Sequence, residues 1–109
     1  MKLKIFILAL GCGPALVNAA NIGWAIPKSV LQEGNVLHVE FEPSAPKQGL
    51  PSCATRTYFD ITTEAGKVRA SIALTAFASN KEVYAHIQDG LTNCGWASSV
   101  PNLWIRVRN

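Results

Sequence analysis

The feature that most constrains this chain is a change of period near residue 62. Before it, apolar residues recur at every second position. Leu37, Val39 and Phe41 alternate with Val36, His38 and Glu40, and Thr57, Phe59 and Ile61 alternate with Arg56, Tyr58 and Asp60. Successive side chains of a strand point to opposite faces, so both segments read as half-buried strands, with His38 and Tyr58 outward. After it, polar residues fall four apart at Lys67, Ser71, Thr75 and Ser79, with Ala70, Ala73, Leu74 and Phe77 on the other side. That spacing predicts an amphipathic helix over 64–79, packed closely through its alanines. Thr63 suits its N-cap, Glu64 its positive end, and Asn80 the left-handed residue that ends it. Alternation then returns over 82–88, with Val83, Ala85 and Ile87 inward and Tyr84, His86 and Gln88 outward. It returns again at the end, with Leu103, Ile105 and Val107 inward and Trp104, Arg106 and Arg108 outward.

The order strand, strand, helix, strand, strand selects an α+β fold: a small antiparallel β-barrel, OB-like, with one α-helix inserted before the last two strands. Residues 20–29, which include Gly23 and Pro27, read as an extended arm anchored by Trp24 and Ile26. Pro46, Gly49 and Pro51 break any ladder over 44–52 and mark a loop. Asp89-Gly90 signals a turn, and Cys94-Gly95-Trp96 opens a second loop that ends near Pro101.

The N-terminus carries an export signature. Lys2 and Lys4 precede the apolar run Ile5-Phe6-Ile7-Leu8-Ala9-Leu10, and Val17-Asn18-Ala19 supplies the small-x-small cleavage pattern. The run is shorter than the roughly 20 residues a membrane span needs. Residues 1–19 are therefore expected to be a signal peptide, and 20–109 a single secreted or periplasmic domain. A rival reading makes Leu10-Gly11-Cys12 a lipoprotein box with Cys12 lipidated. Ala9 stands where such boxes carry Leu, and the downstream pattern fits ordinary cleavage.

Cleavage after Ala19 leaves two cysteines, Cys53 and Cys94, with one possible intramolecular pairing in an oxidising compartment. The closed loop is worth about 4 kcal/mol in the chain-entropy model. Neither a CxxC nor zinc-ligand spacing is present, so a structural disulfide is expected. Trp96, two residues after Cys94, reads as packed on that bond or, alternatively, as projecting from the loop as a second ligand candidate. Formal charge is +3 for the whole chain, from ten basic and seven acidic residues. Losing Lys2 and Lys4 reduces that to about +1, too weak a field for nucleic acid.

Catalytic signatures are sparse. His38 and His86 sit on different strands, Ser52, Ser98 and Ser99 lack a G-x-S-x-G elbow, and Glu40 and Glu42 read as a solvated edge. No enzyme, metal or cofactor is expected. The outward face is more informative: Tyr58, Tyr84, His86, Trp104, Arg106 and Arg108 all fall on the polar side of their strands. Aromatics facing water in a group form a platform on which sugars stack, with Arg and His supplying polar contacts. Cover of that face by the Trp24 arm or by a neighbouring subunit is the competing reading.

Tyr58-Phe59-Asp60-Ile61, Ala73-Leu74-Thr75-Ala76-Phe77-Ala78 and Lys81-Glu82-Val83-Tyr84-Ala85-His86-Ile87 together form a strand, alanine-rich helix and strand. The stretch resembles small exported bacterial proteins of unknown function. More distantly, it is similar to the B subunits of AB5 toxins of the subtilase-cytotoxin and pertussis-like type. The resemblance spans about residues 53–108 and rests on pattern. This chain is shorter than those subunits, has one expected disulfide, and matches none of their glycan-binding motifs residue by residue. The resemblance implies a non-catalytic binding module for glycan that assembles as a homo-oligomer. The alternative is a periplasmic protein–protein module, an inhibitor or an accessory subunit of an envelope assembly.

Overall fold

In the computed structural model of the chain, residues 19–109 are described. The expected signal segment up to Asn18, including Cys12, lies outside the described residues. Among them are seven strands and one α-helix: β1 (Ala20–Ala25), β2 (Ser29–Glu33), β3 (Val36–Glu40), β4 (Lys47–Gln48), β5 (Arg56–Asp60), α1 (Glu64–Ser79), β6 (Glu82–Ile87) and β7 (Ser99–Arg108). The strands form one sheet in the order β2-β3-β5-β7-β6-β1-β4. The α+β class and the helix before the last two strands are as expected.

Two features depart from an antiparallel barrel. The sheet is open, with β2 and β4 at its edges, and β5 runs parallel to β7 through Arg56↔Ser99, Thr57↔Val100 and Tyr58↔Pro101. β7 is long enough to serve two partners. Its first residues lie beside β5, and its remainder pairs antiparallel with β6 from Asn102 onward. The helix and β6 together make the crossover that returns β7 alongside β5 in the same direction.

The expected arm is itself a strand over its first residues. β1 pairs antiparallel with β6 and, through Asn21↔Gln48 and Ile22↔Lys47, with β4, a two-residue strand inside the 44–52 loop. Ile26 is exposed rather than an anchor. Strand β2 lacks the alternation that would announce it, and as an edge strand it is largely exposed. Its hairpin with β3 turns at Gly34, whose φ of +57° suits a two-residue connection.

The helix obeys its local signals. Thr63 Oγ1 accepts from Gly66 N at 3.0 Å, and Asn80 ends the helix at φ 55° and ψ 44°. Its packing face differs from the expected one. Gly66, Ala73 and Ala76 are buried, while Leu74 and Phe77 remain 45% and 40% exposed. The small residues allow the backbone to approach the sheet closely, which moves the larger side chains to the flank. A Cβ on Gly66 would lie 1.6 Å from the Asp60 carbonyl oxygen, so only glycine fits there. Below the helix, Leu37, Val39, Phe41, Phe59, Val83, Ala85, Ile87, Val100 and Ile105 form the core. Cys53 and Cys94 are disulfide-bonded. No helix among the described residues is long and apolar enough to cross a membrane.

On β7 the simple alternation fails once. Ile87 faces Asn102 but His86 faces Trp104, so Leu103 is an extra residue, a β-bulge. Asn102 and Ile105 therefore both point inward, while Leu103 and Trp104 both point out, at 44% and 42% exposure. The inward expectation for Leu103 is corrected by that bulge. Val107 is also exposed, near the end of the strand.

Candidate functional site

Strands β1, β6 and β7 place Trp24, Tyr84, His86, Trp104, Arg106 and Arg108 on the sheet face opposite the helix. The register fixes the arrangement: His86 pairs with Trp104, Tyr84 with Arg106, and Glu82 with Arg108. Cross-strand neighbours lie roughly 4.5–5.5 Å apart, close enough for ring contact. His86 stacks on Trp104 at 4.9 Å and an interplanar angle of 10°, and Tyr84 stacks on Trp104 at 6.1 Å. Trp24 tilts against Tyr84 at 5.7 Å. The result is a continuous aromatic row across three strands.

Two cations lie among the rings. The Arg106 guanidinium carbon is 5.5 Å from the Trp24 ring centroid, 5.2 Å from Tyr84 and 5.3 Å from Trp104. Each distance is within cation–π range. Arg108 lies 4.2 Å from the Trp24 centroid and makes a 2.8 Å ion pair with Glu82. Arg106 is exposed and has no ion pair among the described residues. Among the described residues, its charge is met by the three rings. The face presents aromatic planes with a positive charge at their centre.

Sequence reasoning assigned Trp104, Tyr84, His86 and Arg106 to one face, and the structure brings these four together. Tyr58 is elsewhere. It pairs with His38 across β3 and β5, with the rings 5.9 Å apart, and lines a separate cleft. Trp24 belongs to the row, where it covers part of Tyr84 while Trp104 stays 42% exposed. The signal for Trp24 was its place in a segment with apolar residues on both sides. Strand pairing of that segment with β6 was not visible in the local pattern.

The cleft holds the largest departure from the sequence reading. His38 occupies an outward strand position yet is only 4% exposed. The loop carrying Leu91, Asn93, Cys94 and Gly95 borders the space above it, and the Cys53–Cys94 bond ties that loop down. The cleft measures about 590 Å³ and is also lined by Glu33, Val36, Ser99 and Pro101. His38 Nδ1 lies 2.9 Å from Ser99 Oγ, and Nε2 lies 3.7 Å from Glu33 Oε1. Burial pulls the imidazole pKa below its ordinary value, with Glu33 opposing and Arg56 reinforcing the shift. On the neighbouring rim, Glu40 accepts a 2.6 Å hydrogen bond from Ser29 and pairs with Arg56, which lowers its carboxyl pKa.

Among the described residues, no group of three or more His, Cys, Asp or Glu side chains is arranged to hold a metal ion. No protein-family model, curated protein or solved structure matches this chain.

Proposed function

We propose that this chain is a secreted or periplasmic binding module whose aromatic face takes a glycan. The observation that carries the reading is the row Trp24–Tyr84–Trp104 centred on Arg106, with Trp104 half open to solvent. Sugar rings present C–H faces that stack on such planes, and large exposed aromatics clustered with arginine mark a recognition surface. Arg106 gives the surface a charge preference. A cation with no carboxylate partner among the described residues favours a sugar that brings its own carboxylate or sulfate. Binding at this face needs no chemistry beyond contact.

The deciding experiment is an array of neutral and acidic glycans probed with the purified protein, followed by titration of the best binder. Acidic glycans are expected to bind, and both Trp104→Ala and Arg106→Ala to abolish the signal. A blank array with a folded protein would remove the glycan reading. The second reading is a protein partner, as for an inhibitor or an accessory subunit of an envelope assembly. Leu103, exposed beside Trp104, favours it, because sugars gain little from an adjacent aliphatic side chain. Size-exclusion chromatography bears on both readings: a ring-forming homo-oligomer fits the toxin-like module, and a monomer fits the inhibitor.

A further inference from the structure

The cleft beside the aromatic face contains an arrangement that glycan binding does not use. Three side chains meet there, two from the β2–β3 hairpin and one far along the chain: Glu33 at the end of β2, His38 on β3 and Ser99 at the start of β7. The Ser99 hydroxyl is 2.9 Å from His38 Nδ1, and the other ring nitrogen is 3.7 Å from the Glu33 carboxylate. Ser99 and His38 are 3% and 4% exposed, while the Glu33 side chain is half exposed.

The chemistry of the partners assigns the protons. The Glu33 carboxylate lies 3.7 Å from Nε2, beyond direct hydrogen-bond reach, and its negative charge favours the tautomer with hydrogen on that nitrogen. In that tautomer Nδ1 turns its lone pair toward Ser99 Oγ, and the hydroxyl donates to it. The low-dielectric surroundings favour the neutral ring that this scheme requires. The serine meets Nδ1 rather than the more familiar Nε2. Either nitrogen of a neutral imidazole can take a proton, and the distance is within hydrogen-bond reach.

Two further observations surround this chain of groups. The residues immediately before Ser99 are held in the left-handed region, with φ of 56° at Ala97 and 60° at Ser98. Non-glycine residues seldom adopt that conformation, and runs of such strain cluster at functional sites. The cleft itself has the volume of a small-molecule site, and its walls are largely apolar: Val36, Leu91, Val100 and Pro101. Among the described residues that line it, Glu33 alone is charged, which disfavours anions.

We propose that Ser99 is a nucleophile activated by His38, and that the cleft accepts small neutral acyl esters. Ser99 Oγ attacks the ester carbonyl as its proton passes to His38 Nδ1. The carbonyl–alkoxy bond breaks, the alcohol leaves with that proton, and the acyl group remains on Ser99. Water, deprotonated by the same imidazole, then releases the acid and regenerates the hydroxyl. Glu33 is a positioning residue that selects the ring tautomer. The site is independent of the aromatic face, so its fate does not decide the glycan reading.

The test treats the folded protein with an alkyl fluorophosphonate, which forms an oxygen–phosphorus bond with an activated serine and expels fluoride. Intact mass and peptide mapping are expected to find one adduct, on Ser99. Urea-unfolded protein should remain unlabelled at that residue. His38→Gln should slow labelling by about 100-fold or more, the usual contribution of a general base. A short-chain p-nitrophenyl ester should be hydrolysed by the protein and not by Ser99→Ala. Imidazole ¹⁵N spectra of His38 should show a protonated Nε2, with the tautomer balance displaced in Glu33→Gln. Should Ser99→Ala fail to fold, the labelling of the unmodified protein still decides. Absence of an adduct on Ser99, or an adduct formed equally fast in His38→Gln or in urea, overturns the proposal.

Discussion

Replacing Trp104 by alanine separates the two sides of β7. Tryptophan is among the side chains that bury up to about 250 Å², and here 42% of it stays exposed. Allowing for what an alanine would still cover, roughly 100 Å² of buried surface is lost, worth about 2.5 kcal/mol at 25 cal/mol/Å² and less if the unfolded chain is compact. For a domain of this size that lowers Tm by about 10 °C or somewhat more, without unfolding the protein at room temperature. Loss of a stacking residue at the centre of a binding patch costs a further 2 kcal/mol or more in affinity, about 30-fold. The control is the next residue. Ile105 is 5% exposed and faces the core, so Ile105→Val should cost roughly 1 kcal/mol of stability and leave affinity unchanged. Circular-dichroism melts and calorimetric titration with the best array glycan measure both quantities. Affinity that survives Trp104→Ala, or that falls equally in Ile105→Val, would refute the assignment of faces.

Gly66→Ala should be among the most destabilising single changes, because its Cβ would collide with the Asp60 carbonyl at 1.6 Å; a denaturant melt should show a loss of several kcal/mol, or no folded protein. Removing the disulfide as Cys53→Ser with Cys94→Ser should cost about 4 kcal/mol by loop entropy, read from the shift of the urea midpoint. The lowered pKa of His38 means that the unfolded chain binds its proton first. Stability should therefore be fully present above the ordinary value of 6.5 and decline as pH falls from there through the folded-state value, a slope that His38→Gln should flatten in melts taken from pH 7.5 to 5. Finally, Ala20 N donates to Asp89 Oδ1 at 2.7 Å. Processing after Ala19 would turn that amide into an ammonium paired with the carboxylate, so Asp89→Asn should destabilise the processed protein more than the unprocessed one.

The sequence made the helix legible because every signal for it is local. Thr63, Glu64 and Asn80 sit where capping and dipole chemistry want them, and the four-residue polar spacing marks the solvent side. The choice between alanine and Leu74 or Phe77 as the packing face was not local. It depends on how closely β5 and β7 let the helix approach, which Gly66 settles against the Asp60 carbonyl. The pairing of β5 with β7 was hidden for the same reason. Alternation identifies a strand but not its neighbour, and only the length of β7 allows it to serve two. His38 illustrates the limit most directly. Alternation correctly placed it on the outward face, but a loop tied by Cys94 closes over that part of the face and makes outward a buried position.

The aromatic row lies beside one irregularity that alternation did not show. Counted without a break from the buried Val100, even-numbered residues of β7 would face the core, and Trp104 would be buried. Counted backward from the buried Ile105, Leu103 would be buried instead. Both Asn102 and Ile105 are inward, so the strand must gain one residue between them, and the gain falls at Leu103. Asn102 holds the bulge: its Nδ2 donates to the carbonyls of both His86 and Trp104 at 3.3 Å, bridging the two strands where their register slips. Arg69 of the helix donates to the Asn102 carbonyl from the other side. A buried amide at this position is costly unless it is bonded, and its Oδ1 finds no hydrogen-bond partner among the described residues. The fold tolerates that cost at the place where Trp104 is turned outward to meet His86, Tyr84 and Arg106. The extra residue at Leu103 is what lets the buried Asn102 and the outward Trp104 occupy the same strand two residues apart.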